Sequence, residues 1–157
     1  MRERPSYRRG VGIMLLNSEN LVFAGRRIGL DVEAWQMPQG GIEGDEAPDA
    51  AAMRELKEEV GTNDADVLAV TRKWLTYDLP ARLSRKVWGG QHRGQRQRWY
   101  AMRFRGRDED ISLDSSRHTE FCDWRWISHT NMLAAVVSFK QPLYAEVFEE
   151  FKTILNA

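Results

Sequence analysis

Apolar runs and polar breaks alternate along this chain, and the breaks carry turn residues. Residues 11–16 (VGIMLL) and 21–27 (LVFAGRR) are apolar runs joined by Asn17-Ser18-Glu19-Asn20, the pattern of strand, turn, strand. Residues 47–60 have no interior glycine and are rich in Ala, Glu, Met and Leu, which predicts a helix. Pro48 suits its first turn and Gly61 its stop. Residues 67–77, rich in β-branched and aromatic side chains, predict a strand. Residues 79–95 are basic and broken by Pro80, Gly89-Gly90 and Gly94, which predicts a loop. Residues 96–105 alternate basic with apolar or aromatic side chains, as a half-buried strand does. A further strand is expected over 121–127, with Trp124 and Trp126 on one face. Leu143, Val147, Phe148, Phe151, Ile154 and Leu155 space an amphipathic helix over 142–155. Strands with two helices of different lengths predict a mixed α/β sandwich.

A length of 157 residues predicts one domain, 1–157, with a real hydrophobic core. Lys+Arg and Asp+Glu are both 23, yet the charges are segregated. No acid occurs from 79 to 107, where Arg82, Arg85, Lys86, Arg93, Arg96, Arg98, Arg103, Arg105 and Arg107 lie. Glu43, Asp45, Glu46, Asp49, Glu55, Glu58 and Glu59 crowd the segment before it. An acidic site beside a basic field suits a metal-bridged polyanion. Composition alone is equally consistent with a basic surface unrelated to substrate. The single cysteine, Cys122, cannot form an internal disulfide and reads as a small packing residue, so a reducing cytoplasm is expected. No apolar run approaches the ~18 residues of a membrane span, and no apolar signal segment follows Arg2-Glu3-Arg4-Pro5. His92, His118 and His129 lack the spacing of a zinc site.

The predicted helix ends in Arg54-Glu55-Leu56-Lys57-Glu58-Glu59. Residues three and four apart share a helical face, so Glu55 sits beside Glu58 and Glu59, roughly opposite the stripe of Met53, Leu56 and Val60. Three carboxylates on one turn repel. Either they form a solvated acidic face, or a divalent cation with oxygen ligands relieves them. The wider spacing favours the second reading. Gly40, Glu46, Arg54-Glu55-Leu56, Glu58-Glu59 and Gly61 closely resemble the Nudix box, here residues 40–61. Thr62 departs from the aliphatic residue usual there, at a packing position. The resemblance implies a loop–helix–loop that binds Mg²⁺ or Mn²⁺ and hydrolyses a nucleoside diphosphate linked to another group. It also implies the Nudix fold, a mixed sheet between helices.

Other segments resemble the bacterial RNA pyrophosphohydrolases, also described as dinucleoside polyphosphate hydrolases. They are Tyr7-Arg8 with Gly10-Val11-Gly12, Ala24-Gly25-Arg26-Arg27, the run Trp35-Gln36-Met37-Pro38-Gln39-Gly40-Gly41, Lys73-Trp74-Leu75 with Tyr77, Leu79-Pro80 and Arg82-Leu83, the run Gly94-Gln95-Arg96-Gln97-Arg98-Trp99-Tyr100, Glu120-Phe121 with Trp124-Arg125-Trp126, and Val136-Val137-Ser138-Phe139-Lys140. By this resemblance Glu55, Glu58 and Glu59 are metal ligands, and Glu120 is a further one. Glu59 or Glu58 is the general base. Arg54 orients a carboxylate through its planar fork, and Glu46 has a supporting role. Arg8 and Arg27 are expected on substrate phosphates, Gln95 along the RNA path, and Phe139 and Lys140 at a nucleobase and a phosphate. Without the resemblance, Phe139 reads as a core residue at the start of the last helix.

Two substrates are implied. One is 5′-triphosphorylated RNA, converted to 5′-monophosphate RNA with release of pyrophosphate as the first step of mRNA decay. The other is a dinucleoside polyphosphate such as diadenosine tetraphosphate, cleaved asymmetrically. A binding protein on a dead scaffold is a third class, and the intact Glu55, Glu58 and Glu59 argue against it. DNA and membrane are not expected as partners, and the sequence identifies no protein partner.

Overall fold

The computed structural model describes residues 6–29, 34–114 and 119–157. Eight strands among these form one mixed sheet. Its spine is β1 (Ser6–Leu16) paired in parallel with β7 (His92–Phe104) over almost the full length of both. β2 (Val22–Arg27) pairs with the end of β1, and β3 (Trp35–Gln36) and β8 (Phe121–Ile127) both pair with β2. The three-residue β4 (Gln39–Gly41) pairs with β1 at Gly10, Val11 and Gly12. β5 (Ala65–Val70) and β6 (Leu75–Asp78) take successive stretches of β7. Apart from β1–β7, every pairing is antiparallel.

β1 is buried from Gly10 to Leu16 because both faces of the sheet are covered, which is why its apolar run is continuous rather than alternating. One face sends Val11, Ile13, Leu15, Tyr100 and Met102 against α1 (Pro48–Val60). The other sends Met14, Leu16, Leu75, Tyr77 and Trp99 against α3 (His129–Ala135) and α4 (Gln141–Glu150). The expected mixed α/β sandwich is the one observed.

α1 begins at Pro48 and buries Ala51, Ala52, Leu56 and Val60. It ends at Gly61, whose φ of 86° is left-handed and whose N–H returns to the Lys57 carbonyl. Four elements differ from the sequence expectation. The single strand expected over 67–77 is two strands, because Thr71 is buried between them and exchanges hydrogen bonds with the Trp99 backbone. The loop expected over 79–95 contains α2 (Ala81–Trp88), bounded by Pro80 and by Gly89 at φ 59°. Only Ser84 of α2 is buried, with its hydroxyl on the His92 carbonyl, so the helix leaves little apolar periodicity to read. The last helix is broken at Phe151 into α4 and α5 (Lys152–Leu155). α3, not anticipated, is capped by Ser128, whose hydroxyl accepts the Asn131 N–H. Among the described residues no helix is long and apolar enough to cross a membrane.

Candidate active site

The acidic turn of α1 faces the backbone of β4. A Cβ added to Gly40 would lie 1.9 Å from the Glu55 carboxyl carbon, so the Glu55 carboxylate rests directly on a backbone only glycine can offer. Glu59 accepts the Gln39 N–H at 3.0 Å. Glu55 and Glu59 are both buried, 9% and 5% exposed, whereas Glu58 on the same turn faces solvent. Burial lifts the Glu55 carboxyl to about 7, against the pull of Arg54, with Glu58 and Glu120 adding repulsion. Burial also raises Glu59 well above the usual carboxylate range, helped by the charges of Glu55 and Glu120 and opposed by the Gln39 N–H and Arg27.

Arg54 ties this turn to its entry loop. Its fork donates to both Glu46 oxygens at 2.8 Å, to the Gly41 carbonyl at 2.8 Å and to Glu55 at 2.9 Å, and it reaches Glu58 at 3.3 Å. Arg54 holds Glu46 down at about 2. Glu120 sits before β8 and pairs loosely with Arg27 at the end of β2, 3.7 Å away. Arg27 Nε is buried and has no hydrogen-bond partner among the described residues. Arg8 packs its guanidinium over Gly41, where a Cβ would lie 2.4 Å from Nη2.

On the other side of β4 the Gln39 side chain joins two further elements. Its Nε2 donates to the Tyr77 hydroxyl at 3.1 Å, and its Oε1 accepts from Lys140 Nζ at 3.3 Å. Lys140 also donates to Gln36 at 3.2 Å, and its ammonium stands 5.2 Å from the centre of the Tyr77 ring. It is 3% exposed, and burial lowers it to about 7, with Arg27 as the next cause. Phe139, in a 3₁₀ turn over Ser138–Lys140, is half-buried and stacks on Tyr77 with ring centres 6.2 Å apart and planes 26° apart. It is therefore neither fully core nor free. Gln95 is buried at 4% exposure, with Oε1 taken by Gln97 at 2.7 Å and close to Gly10. It supports the β1–β7 floor rather than offering an exposed surface.

Thus the fold brings Glu59, Glu120, Arg27 and Lys140 within one another's electrostatic reach, and Glu55 within that of Glu59 and Glu120. Gln39 and Tyr77 complete the group and were missed as site residues. The inward parity that Tyr77 shares with Leu75 was the available signal. His118 lies outside the described residues. Among the described residues no three acidic, histidine or cysteine side chains converge to hold an ion as they stand: Glu58 turns to Arg54 and Glu120 to Arg27. The donor chemistry nevertheless fits a hard divalent cation. Two buried carboxylates that resist ionisation, with two half-exposed ones beside them, are an oxygen ligand set whose repulsion such an ion removes.

The sequence model of the NUDIX domain matches residues 6–147, and the chain belongs to that family. The curated RNA pyrophosphohydrolase of Rhodospirillum rubrum is 51% identical over 144 residues, 92% of this chain and 86% of that one. That of Rickettsia canadensis is 46% identical over 150 residues, 96% and 92% of the two chains. Among solved structures, the Escherichia coli dihydroneopterin triphosphate pyrophosphohydrolase superposes with a TM-score of 0.71 at 19% identity, covering 97% of this chain and 99% of its own. The MutT protein of Methanosarcina mazei gives 0.70 at 15% identity, over 96% and 99%. At those identities the two structures speak to the fold alone.

Proposed function

We propose that this chain is an RNA pyrophosphohydrolase that hydrolyses the 5′ triphosphate of RNA to a monophosphate, releasing pyrophosphate and opening the transcript to decay in the cytoplasm. The observation that carries the reading is the continuous path from the buried carboxylates to a stacked aromatic pair. Glu59 is bonded to Gln39, Gln39 to Tyr77 and Lys140, and Tyr77 stacks on Phe139. A phosphate chain and its first bases need those two kinds of environment side by side. The curated relatives named above support the choice of RNA.

Glu55, Glu58, Glu59 and Glu120 would hold Mg²⁺ or Mn²⁺. Bound there, the cation would lower the pKa of water and neutralise charge on the phosphates. The chain's own groups do the rest. Arg54, anchored on Glu46 and the Gly41 carbonyl, orients Glu55. The Gln39 N–H fixes Glu59 Oε2, leaving Oε1 to take the proton of the attacking water. Arg8, Arg27 and Lys140 carry the donors for phosphate oxygens. Phe139, backed by Tyr77, offers a face to a base.

Steady-state turnover of a triphosphorylated RNA and of diadenosine tetraphosphate, each with Mg²⁺ and with EDTA, tests this. The expected result is a higher kcat/KM on RNA and no turnover on either in EDTA. A preference for the dinucleotide would replace the RNA reading with that of a dinucleoside polyphosphate hydrolase. Near-normal turnover in EDTA would overturn the mechanism.

A further inference from the structure

A second group of side chains lies on the sheet face that carries α1, and the chemistry above does not use it. Arg9 stands directly opposite Arg96 on the paired strands β1 and β7. Arg9 shares the parity of Val11, and Arg96 that of Tyr100, so both lie on the face that α1 covers further along. Trp74, just before β6, lies against both. Each guanidinium carbon is 5.3 Å from the centre of its ring. Both arginines are exposed and Trp74 is half-buried.

Among the described residues neither arginine has a carboxylate partner. The acid close by in the chain, Asp78, is taken by Arg93 at 2.7 Å and by the Tyr7 hydroxyl at 2.6 Å. Like charges opposite one another weaken a sheet, and the indole offsets only part of that repulsion. Arg98 on the same face adds positive charge. So do Arg82, Arg85 and Lys86 on α2, the helix seated on the start of β7.

We propose that Arg9, Trp74 and Arg96 form a second RNA-binding surface that takes nucleotides downstream of the 5′ end held in the site. The inference rests on the reading of that site as one for RNA. Two members are joined to the site by the chain: Arg9 follows Arg8, and Trp74 leads into the strand carrying Tyr77, while Arg96 pairs with Arg9. An indole in contact with guanidiniums is a platform on which a base can replace an arginine, freeing that arginine for phosphate. An acidic peptide would use the two charges but not the ring. The surface would hold the strand without reading its sequence, because backbone charge and stacking are common to all bases.

The test compares a triphosphorylated trinucleotide with a single strand of about a dozen nucleotides that begins with the same bases. Wild type, the double variant Arg9→Gln/Arg96→Gln and Trp74→Leu are assayed for turnover, RNA affinity and thermal melting. The wild type is expected to favour the longer strand. The double variant should bring the KM for the longer strand up to that for the trinucleotide while leaving trinucleotide kcat and KM unchanged. Its slope of log K against log salt on the longer strand should flatten by about 1.4, two cations at roughly 0.7 each. Trp74→Leu should weaken the longer strand at least about fivefold, the low end expected for one stacked base, and the trinucleotide not at all. No length preference in the wild type, or an unchanged salt slope in the double variant, overturns the inference. Equal losses on both substrates overturn it too, since they would place these residues in the fold or the reacting site. Displacement of the longer strand from the wild type, but not from the double variant, by polyglutamate at matched charge would reassign the surface to an acidic protein. Lack of turnover on both RNAs would instead overturn the reading of the site itself.

Discussion

Replacing Glu55 by glutamine separates what its charge costs the fold from what it gives the chemistry. Glu55 is 9% exposed, and burial lifts its carboxyl from 4.5 to about 7. At 1.36 kcal/mol per unit, keeping it ionised in the metal-free fold costs up to about 3 kcal/mol. The sign follows from linkage. Between 4.5 and about 7 the folded chain holds this proton and the unfolded chain has lost it, so stability falls as pH rises through that window. Below the window both states are protonated and the cost is absent. Above it the cost is complete. Glu55→Gln keeps the acceptor for Arg54 Nη1 and cannot ionise. Melting in EDTA should therefore show little difference from wild type below pH 4.5, a widening gap up to pH 7, and a plateau beyond. On the plateau the variant should melt up to about 6–12 °C higher, at roughly 2–4 °C per kcal/mol for a chain of this size. Added Mg²⁺ should narrow the gap, because only the wild type keeps its full ligand set, and turnover by the variant should collapse. A variant less stable than wild type above pH 7 in EDTA, or a gap independent of pH, would refute the argument.

Three further changes probe the same site. Glu59→Gln should lower kcat by about 10²–10⁴, the scale for losing a general base, with the fold retained; single-turnover rates near wild type would move the base to Glu58. Gly40→Ala puts a methyl 1.9 Å from the Glu55 carboxyl carbon and must push that flexible end aside. The protein should stay folded by circular dichroism yet lose roughly 10²-fold in kcat, as an ångström-scale misplacement does; unaltered kcat would show that the Glu55 position is immaterial. Phe139→Ala should weaken RNA binding by roughly 1–3 kcal/mol. Because Phe139 is only half-buried, it should cost less stability than the ~3–5 kcal/mol of a fully buried phenylalanine. A large drop in melting temperature with normal affinity would make it a packing residue.

Much of this architecture follows from local pattern. The continuous apolar run of β1, the Pro48-to-Gly61 span of α1 and the clustering of Glu55, Glu58 and Glu59 on one turn depend on backbone periods of two and 3.6 residues, so the sequence by itself determined them. The resemblance of residues 40–61 to the Nudix box, also legible in the sequence, implied divalent-metal pyrophosphate chemistry. Periodicity places side chains on faces, but which face another element covers is settled by contacts distant in the chain. Hence only the tertiary structure decided that Glu55 and Glu59 are buried against β4 while Glu58 faces solvent beside Arg54. Only packing joined Gln39, Tyr77 and Lys140, and brought Trp74 against both Arg9 and Arg96. α2, held by two terminal residues and one buried serine, stayed illegible for the same reason: its partner is the start of β7 and not its own periodicity.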